Sequence, residues 1–277
     1  DKTMPVLEGP IRKMKTDLLD TVSYRLPVGD QMLELNPLIG KEIAFSFEGV
    51  IACIACGRKT KKSFNQGHCY PCFKRLASCD QCIIKPELCH FHEGTCREPE
   101  WGKQNCFAPH IVYLANSSGL KVGITRASQV PTRWIDQGAI EALPMFEVVD
   151  RRTTGLIEHA LRSFISDRTD WRKMLRGDPD SVDLVSMRAQ LMSQLEEMVD
   201  APDQLKDQSF AVLSMLDTVC NIRYPVHEYP EKVKSHNFDK DAKIAGKFFG
   251  IKGQYLMIDG KVFNVRKFAG YEMEITF

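Results

Sequence analysis

Four cysteines in the first third of the chain have the spacing of a tetrahedral metal site. Cys53 and Cys56 form one Cys-x-x-Cys motif, and Cys69 and Cys72 form a second one after twelve intervening residues. Each motif turns the backbone so that two thiolates face the same side, and two such turns complete the shell of a zinc ion. Free thiols or a redox pair are the other interpretations. We predict structural zinc, whose binding would contribute about 10–16 kcal/mol to local folding.

A second group of cysteines is less regular. Cys79 and Cys82 make one more Cys-x-x-Cys motif, and we predict that Cys89 and Cys96 complete its shell around a second structural zinc. Four thiolates also suit an iron–sulfur cluster, so the identity of this metal stays open. The alternative ligands in the same region are Cys106, His90 and His92.

The composition favours a reducing environment for these thiols. The 277 residues are 43% hydrophobic and 26% charged with a formal net charge of +1, as in ordinary globular proteins. The sequence has no apolar window of about 18 residues that would predict a membrane span. Residues 1–10 lack the basic start and apolar stretch of a secretion signal. We therefore predict a cytoplasmic protein whose cysteines bind metal rather than form disulfides.

After the cysteines, the chain acquires an alternating α/β pattern. Short runs rich in β-forming residues predict strands, and a turn cluster between the first two predicts a hairpin. Helices are predicted where proline and glycine mark the two ends, or where apolar residues recur at helical spacing. In chain order the predicted elements are strands over 110–115 and 120–125, a helix over 131–138, a strand over 142–149 and a helix over 155–167.

This order resembles the GIY-YIG nuclease superfamily, especially its compact phage-type branch, over residues 109–177. Ile111-Val-Tyr113 is similar to the first signature, although isoleucine replaces its glycine. Lys121-Val-Gly123 is similar to the second signature, with lysine in place of tyrosine. Arg133 matches the helix arginine of the superfamily, and Glu158 matches its metal-binding glutamate. The whole chain also resembles a bacterial zinc-ribbon family, to which it is similar over residues 121–126 and 133–138.

The resemblance implies a role for each matched residue. Tyr113 would relay or remove a proton with Lys121 nearby, Arg133 would bind the phosphate, and Glu158 would hold Mg²⁺. Arg126 would add a phosphate contact. Phosphodiester hydrolysis needs these functions, namely an activated water and neutralised phosphate oxygens.

Each of these residues also has a purely structural interpretation. Tyr113 could pack its ring within a strand, Arg133 could lie on the surface, and Glu158 could pair with Arg162 four residues later on one helix. The joint order of the residues, rather than any one of them, indicates a nuclease-like core.

The two chain ends predict β-structure. Residues 22–52 alternate apolar runs with turn pairs, and residues 243–277 contain four strand candidates around an Asp259-Gly260 hairpin signal. We predict that both ends join in a small antiparallel β-barrel-like part. Basic and aromatic residues on such a surface can bind nucleic acid, although a half-buried sheet with lysines facing water has the same pattern. The candidate nucleic-acid-binding residues, in addition to Arg126, are Lys59, Lys61, Lys62, Lys252 and Tyr255.

The predicted fold class is α+β, with a zinc-ribbon module, a GIY-YIG-like β-hairpin and helix core, and the barrel-like part. An acidic amphipathic helix over 181–200 is a candidate contact for a protein partner, although leucine at that spacing is more typical of core packing. The predicted segments are an N-terminal β segment (1–52), the zinc module (53–108), the nuclease-like core (109–177), a helical segment (178–222) and a C-terminal β segment (223–277).

The predicted function is that of a metal-dependent nucleic-acid endonuclease, with the zinc module and the basic β surface binding DNA or RNA. One alternative is a non-catalytic nucleic-acid-binding zinc protein with a degenerate nuclease core. A second alternative is a zinc-stabilised module for protein interaction.

Overall fold

The protein has a mixed α+β fold, and the computed structural model describes residues 3–198, 210–212 and 218–277. None of the helices in these ranges has the length and apolar character that crossing a membrane requires. The helices are α1 (Tyr70–Arg75), α2 (Pro99–Asn105), α3 (Thr132–Asp136), α4 (Arg151–Leu161), α5 (Trp171–Met174) and α6 (Leu184–Glu196). The strands are β1 (Val6–Pro10), β2 (Lys15–Asp17), β3 (Ser23–Val28), β4 (Gln31–Glu34), β5 (Glu42–Ala52), β6 (Lys59–Thr60), β7 (His110–Asn116), β8 (Leu120–Arg126), β9 (Glu141–Val148), β10 (Phe210–Val212), β11 (Cys220–Asn221), β12 (Lys234–Ser235), β13 (Lys243–Lys252), β14 (Tyr255–Ile258), β15 (Lys261–Asn264) and β16 (Tyr271–Thr276).

The chain folds into two compact units. The first contains Asp1–Lys74, Leu175–Gly177 and Ile222–Phe277, so it combines both chain ends. The second contains Arg75–Met174 and Asp178–Asn221.

In the first unit, both chain ends contribute to one eight-stranded sheet, but the sheet is not a barrel. Its strand order is β1-β16-β5-β13-β14-β15-β12, with β6 paired to β5. Within the described residues this path has two open edges, so the predicted barrel closure is wrong. A barrel requires a continuous ladder between its first and last strands, and in these ranges β1 pairs with β16 and the two-residue β12 pairs with β15. A separate three-stranded sheet, β2-β3-β4, belongs to the same unit.

Aromatic side chains fill the core of the first unit. The Phe238 ring lies 5.0 Å from Phe263 and 5.0 Å from Phe268 in edge-to-face geometry, and Phe45 contacts Phe263 in the same way at 5.3 Å. Such pairs add about 0.5–1.5 kcal/mol each to the free energy gained by burial alone. These residues come from both ends of the sequence and therefore hold the ends together.

The second unit is built on a five-stranded sheet with the order β10-β9-β7-β8 and with β11 paired to β9. Strands β7 and β8 form the predicted hairpin, with Tyr113 opposite Gly123. Helices α4 and α6 cover this sheet through Ile157, Leu161 and Leu191, which lie in one buried cluster with the strand residues. The apolar side of the acidic helix is thus core, as its leucine spacing indicated.

Two predicted helices have different bounds in the structure. Helix α4 begins before the predicted range because the Asp150 carboxylate accepts a hydrogen bond from the Thr153 amide at 2.7 Å and caps the helix. Helix α6 is shorter than predicted, with Asp183 as its cap. The predicted residues 199–200 lie outside the described ranges.

Candidate metal centre and candidate active site

The four cysteines of the matched motifs converge in the first unit. The sulfur atoms of Cys53, Cys56, Cys69 and Cys72, which we call the ribbon cluster, all lie within 4.8 Å of one another. Those of Cys56 and Cys69 are 3.7 Å apart. Four sulfurs that bind a tetrahedral zinc at about 2.3 Å are separated by about 3.8 Å. The ribbon cluster can therefore hold a metal ion such as zinc, and it is consistent with a zinc ribbon.

Two glycines allow the backbone to fold around the ribbon cluster. The Gly57 amide donates to the Cys53 carbonyl at 2.8 Å in a tight turn, and Gly57 has a φ of 74°. Gly67 has a φ of 114°, and its carbonyl accepts the amide of Ile54 at 2.9 Å. A Cβ atom at Gly67 would lie 2.8 Å from the Ala269 carbonyl oxygen. Glycine is the residue that adopts such angles without a steric penalty.

The environment of the four thiols suits a bound cation. Burial, together with the neighbouring thiols, raises the pKa of Cys72 to about 12. Burial also acts to raise the pKa of Cys53, but hydrogen bonds with the backbone of Cys69, Cys56 and Ala55 lower it to about 6. Several thiolates in a buried place repel one another, and a divalent cation removes this repulsion.

The second group of cysteines lies in the second unit. Cys82, Cys89 and Cys96 line one cavity together with Cys106. Cys79 is buried but is not among the residues that line this cavity. His92 is exposed. Of the predicted shell, the structure therefore brings three members together and adds Cys106, which the sequence offered as an alternative.

The four residues predicted as catalytic interact electrostatically. Tyr113 is fully buried, and its hydroxyl donates to Gln137 Oε1 at 2.7 Å. Burial raises the pKa of Tyr113 to about 12, while the charges of Arg133 and Glu158 act on it in opposite directions. Tyr113 is therefore protonated at neutral pH.

Lys121 has the most altered basicity of the set. Burial and, to a smaller extent, the positive charge of Arg133 lower its pKa to about 8, against the carboxylates of Glu158 and Asp167. Its ammonium group lies 3.5 Å from Thr169 Oγ1. A buried lysine with this pKa exchanges its proton near neutral pH.

Glu158 is buried and belongs to an ion-pair network centred on Arg162. Burial raises the pKa of Glu158, and Arg162 opposes that rise through a contact of 3.0 Å between Nη2 and Oε1. The same guanidinium group lies 2.8 Å from Asp167 and 3.8 Å from Glu87. The predicted pair between Glu158 and Arg162 is confirmed, and it belongs to a larger set of carboxylates around one arginine.

A family model described as "Protein of unknown function (DUF2797)" matches residues 40–273. The chain belongs to the DUF2797 family. No curated protein and no solved structure matches the chain. In this DUF2797 protein, the matched range includes the ribbon cluster, the second cysteine group and the interacting set around Glu158.

Several residues of the DUF2797 chain join the candidate active site without having been predicted. Gln137 accepts a hydrogen bond from the Tyr113 hydroxyl, Thr169 contacts Lys121, and Asp167 and Glu87 share Arg162 with Glu158. The segment 133–138, which carries the resemblance to the bacterial family, already contained Gln137. Thr169 and Glu87 are distant in sequence from Lys121 and Arg162, and no local pattern reveals their contacts. Asp167 lies only five residues after Arg162, but beyond the end of α4, where helical spacing does not predict the contact.

The candidate nucleic-acid-binding residues differ in exposure. Lys59, Lys61 and Lys62 are exposed, while Tyr255 and Arg126 are half-buried, and Arg126 donates to Asn105 Oδ1 at 2.5 Å. Lys252 is fully buried, and its ammonium group donates to the Gly177 carbonyl at 3.2 Å. The prediction that Lys252 lies on an exposed basic surface is therefore wrong, because the chain itself surrounds the side chain.

Proposed function

We propose that this protein is a metal-dependent nucleic-acid endonuclease that hydrolyses phosphodiester bonds in the second unit. The observation that carries this proposal is the interaction of Tyr113, Lys121, Arg133 and Glu158, four charged or polar groups from four different elements. Burial of several ionisable groups in one place costs hydration, and clusters of shifted pKa values are typical of functional sites.

The register of the hairpin supports the resemblance to the GIY-YIG superfamily. Tyr113 and Gly123 are direct partners in the β7–β8 ladder. A Cβ atom at Gly123 would lie 2.5 Å from the Tyr113 hydroxyl oxygen, so the tyrosine ring occupies the space that a side chain would need. The tyrosine of the first signature and the glycine of the second are thus explained by one contact.

The lowered pKa of Lys121 supports a role for this residue in proton transfer. Neutral Lys121 accepts the proton of the attacking water, because its pKa of about 8 lies near neutral pH and that of Tyr113, about 12, does not. Tyr113 then orients the water through its hydroxyl. Arg133 is half-buried and binds the phosphate oxygens through its planar fork.

Glu158 fits the role of a ligand for Mg²⁺. Its carboxylate is nearly buried, Arg162 contacts Oε1 at 3.0 Å, and carboxylate oxygen is the donor that a hard cation such as Mg²⁺ prefers. Mg²⁺, when bound, supplies positive charge next to the phosphate. The exposed Lys59, Lys61 and Lys62 would bind the backbone of DNA or RNA, and zinc in the ribbon cluster would support the segment that carries them.

A non-catalytic nucleic-acid-binding protein is the second candidate, and one observation favours it. Tyr113 is fully buried and Lys121 is 4% exposed, so access of a phosphodiester to these groups is limited. Binding without cleavage would use Arg133 and the exposed lysines alone.

A nicking assay on mixed DNA and RNA substrates with added Mg²⁺ separates the two candidates. We expect that Glu158→Ala and Arg133→Ala each reduce nicking by about a hundredfold or more, as removal of a group that stabilises transition-state charge does. Glu100→Ala and Arg168→Ala are matched controls, because these side chains are 81% and 91% exposed. The endonuclease proposal fails if the protein binds nucleic acid but the wild type does not nick, or if the site variants nick like the controls.

A further inference from the structure

Four cysteines of the second unit surround a cavity that the proposed endonuclease activity does not use. Its lining includes Cys82, Cys89, Cys96 and Cys106. Cys82 lies in the one-turn helix Gln81–Ile83, Cys89 follows the one-turn helix at residues 86–88, Cys96 precedes α2, and Cys106 follows it. Four separate turns thus direct one cysteine each to the same place.

The thiols of this cavity are spaced more widely than those of the ribbon cluster. Within the described part of the chain, no three of the four sulfur atoms lie within 4.8 Å of one another, whereas all four do in the ribbon cluster. A single zinc ion requires sulfurs about 3.8 Å apart. In an iron–sulfur cluster, different thiolates bind different irons, so the ring of sulfurs is wider.

Nearby histidine and carboxylate groups are engaged with each other. Atoms of Asp80, Cys82 and His90 lie within 4.8 Å of one another. However, His90 Nδ1 is 2.7 Å from Thr95 Oγ1, and its Nε2 is 3.1 Å from Asp80 Oδ2, which also contacts Arg97 at 3.1 Å. Both ring nitrogens of His90 therefore have partners, and the cysteines are the soft donors that line the cavity.

The walls of the cavity suit a cofactor that must be shielded from water. Ile83, Phe91 and Trp101 line it with apolar surface. Gly102 lies next to them, and a Cβ atom there would be 3.4 Å from Cys96 Sγ and 3.3 Å from the Phe91 ring. The absence of a side chain at this position keeps the approach to the thiol open. Solvent exclusion is one of the main ways in which proteins control iron–sulfur clusters.

Positive charge lies beside the same cavity. The backbone amide of Arg151 donates to the Cys106 carbonyl at 2.8 Å. The guanidinium group of Arg151 donates to the carbonyl of Ile83, next to Cys82, and that of Arg126 donates to Asn105, next to Cys106. A cluster held by four thiolates is anionic, so the two arginines would stabilise it.

We propose that Cys82, Cys89, Cys96 and Cys106 bind an iron–sulfur cluster. The cluster links four turns of a segment that has little regular structure and holds them in place, as structural metals do in small modules. This site is independent of the proposed endonuclease function, and its ligand set includes Cys106 in place of Cys79.

Metal and sulfide analysis of the full chain, purified without oxygen, tests the proposal. We expect one zinc per chain, together with about two or about four irons and an equal amount of acid-labile sulfide, which are the contents of the clusters that four cysteines hold. We also expect broad visible absorption that bleaches on reduction. A wild type that contains two zinc ions and takes up no iron or sulfide during anaerobic reconstitution would overturn the proposal.

Single substitutions then test the ligand set. Cys106→Ser and Cys89→Ser should lose most of the iron and sulfide and keep the zinc. Cys79→Ser is the matched control, since Cys79 is a buried cysteine of the same segment, and it should keep the iron. Loss of iron in Cys79→Ser with full retention in Cys106→Ser would disprove the assignment. Circular dichroism of each variant verifies that it folds. If a variant does not fold, the iron, sulfide and zinc content of the wild type alone tests whether a cluster is bound.

Discussion

The two candidate sites both bring together groups that repel one another or lose hydration when they are buried. One is the ribbon cluster of the first unit. The other is the ionisable set of the second unit, which consists of Tyr113, Lys121, Arg133 and Glu158. The ribbon cluster comes from two turns within residues 53–72 and contains only potential anions. The ionisable set comes from two strands and two helices and includes charges of both signs. The first can therefore be balanced by an external cation such as zinc, whereas the second contains cationic and anionic groups of the chain itself.

This difference explains why the two sites were predictable to different degrees. A Cys-x-x-Cys turn creates its geometry locally, so the spacing of the cysteines is sufficient to predict that their sulfur atoms meet. The ionisable set requires a correct sheet register and correct helix placement, which no local pattern contains. It was inferred only through a resemblance that covers the whole segment.

Removal of one cysteine from the ribbon cluster should have the largest effect. Cys56 is exposed and Cys69 is buried. If both bind zinc, Cys56→Ser and Cys69→Ser should each abolish a contribution of about 10–16 kcal/mol to local folding. Hydrogen exchange of residues 53–74 should then rise equally in both variants, with zinc content falling by one ion per chain.

Cys220→Ser is the control, because Cys220 is a half-buried cysteine outside the ribbon cluster. It should change neither the zinc content nor the exchange. If the four cysteines were free thiols, substitution of the exposed Cys56 would be harmless and only that of Cys69 would be costly. That result would break the comparison, because the first site would then need no external cation.

The pH dependence of stability should reveal how the chain tolerates Lys121. Its pKa in the folded protein is about 8, below the ordinary value of 10.5. Below pH 8 both the folded and unfolded states hold the proton, and between pH 8 and 10.5 only the unfolded state does. The free energy of unfolding should therefore increase with pH across this window, by up to about 3 kcal/mol relative to Lys121→Met.

Urea unfolding at several pH values from 7 to 10.5 measures this difference. Lys173→Met is the matched control, because Lys173 is exposed, and its curve should stay parallel to that of the wild type. A constant difference between wild type and Lys121→Met would mean that the lysine keeps an ordinary pKa, and the assignment of Lys121 as the base would lose its support.

The general elements of the fold were predictable, but their closure was not. The hairpin of β7 and β8 and the Asp259-Gly260 turn follow from local residue types, and Asp259 and Gly260 have the positive φ angles of 50° and 72° that such turns require. Closure depends on whether the two edge strands, β1 and β12, pair with each other, which the apolar pattern of the sequence does not specify. The burial of Lys252 was also not predictable, because a basic residue between aromatic residues gives the same sequence pattern on a solvent-exposed face and inside a core.

The smallest expected effect is that of replacing Arg162. In the second unit its guanidinium group supplies the positive charge that a metal ion would supply in the ribbon cluster. Arg162→Met would leave Glu158, Asp167 and Glu87 without their shared cation. Breaking a fully buried pair costs about 3–5 kcal/mol, and we expect about 2 kcal/mol here because the Arg162 side chain is 30% exposed.

Urea unfolding at pH 7 tests this value against Arg168→Met, in which the lost side chain is 91% exposed and 4.0 Å from Asp167. The control should be nearly neutral, because exposed ion pairs contribute little. The cost of Arg162→Met should also decrease on acidification, since protonated carboxylates no longer need a cation. Equal effects of the two substitutions would show that the chain does not balance these charges through Arg162.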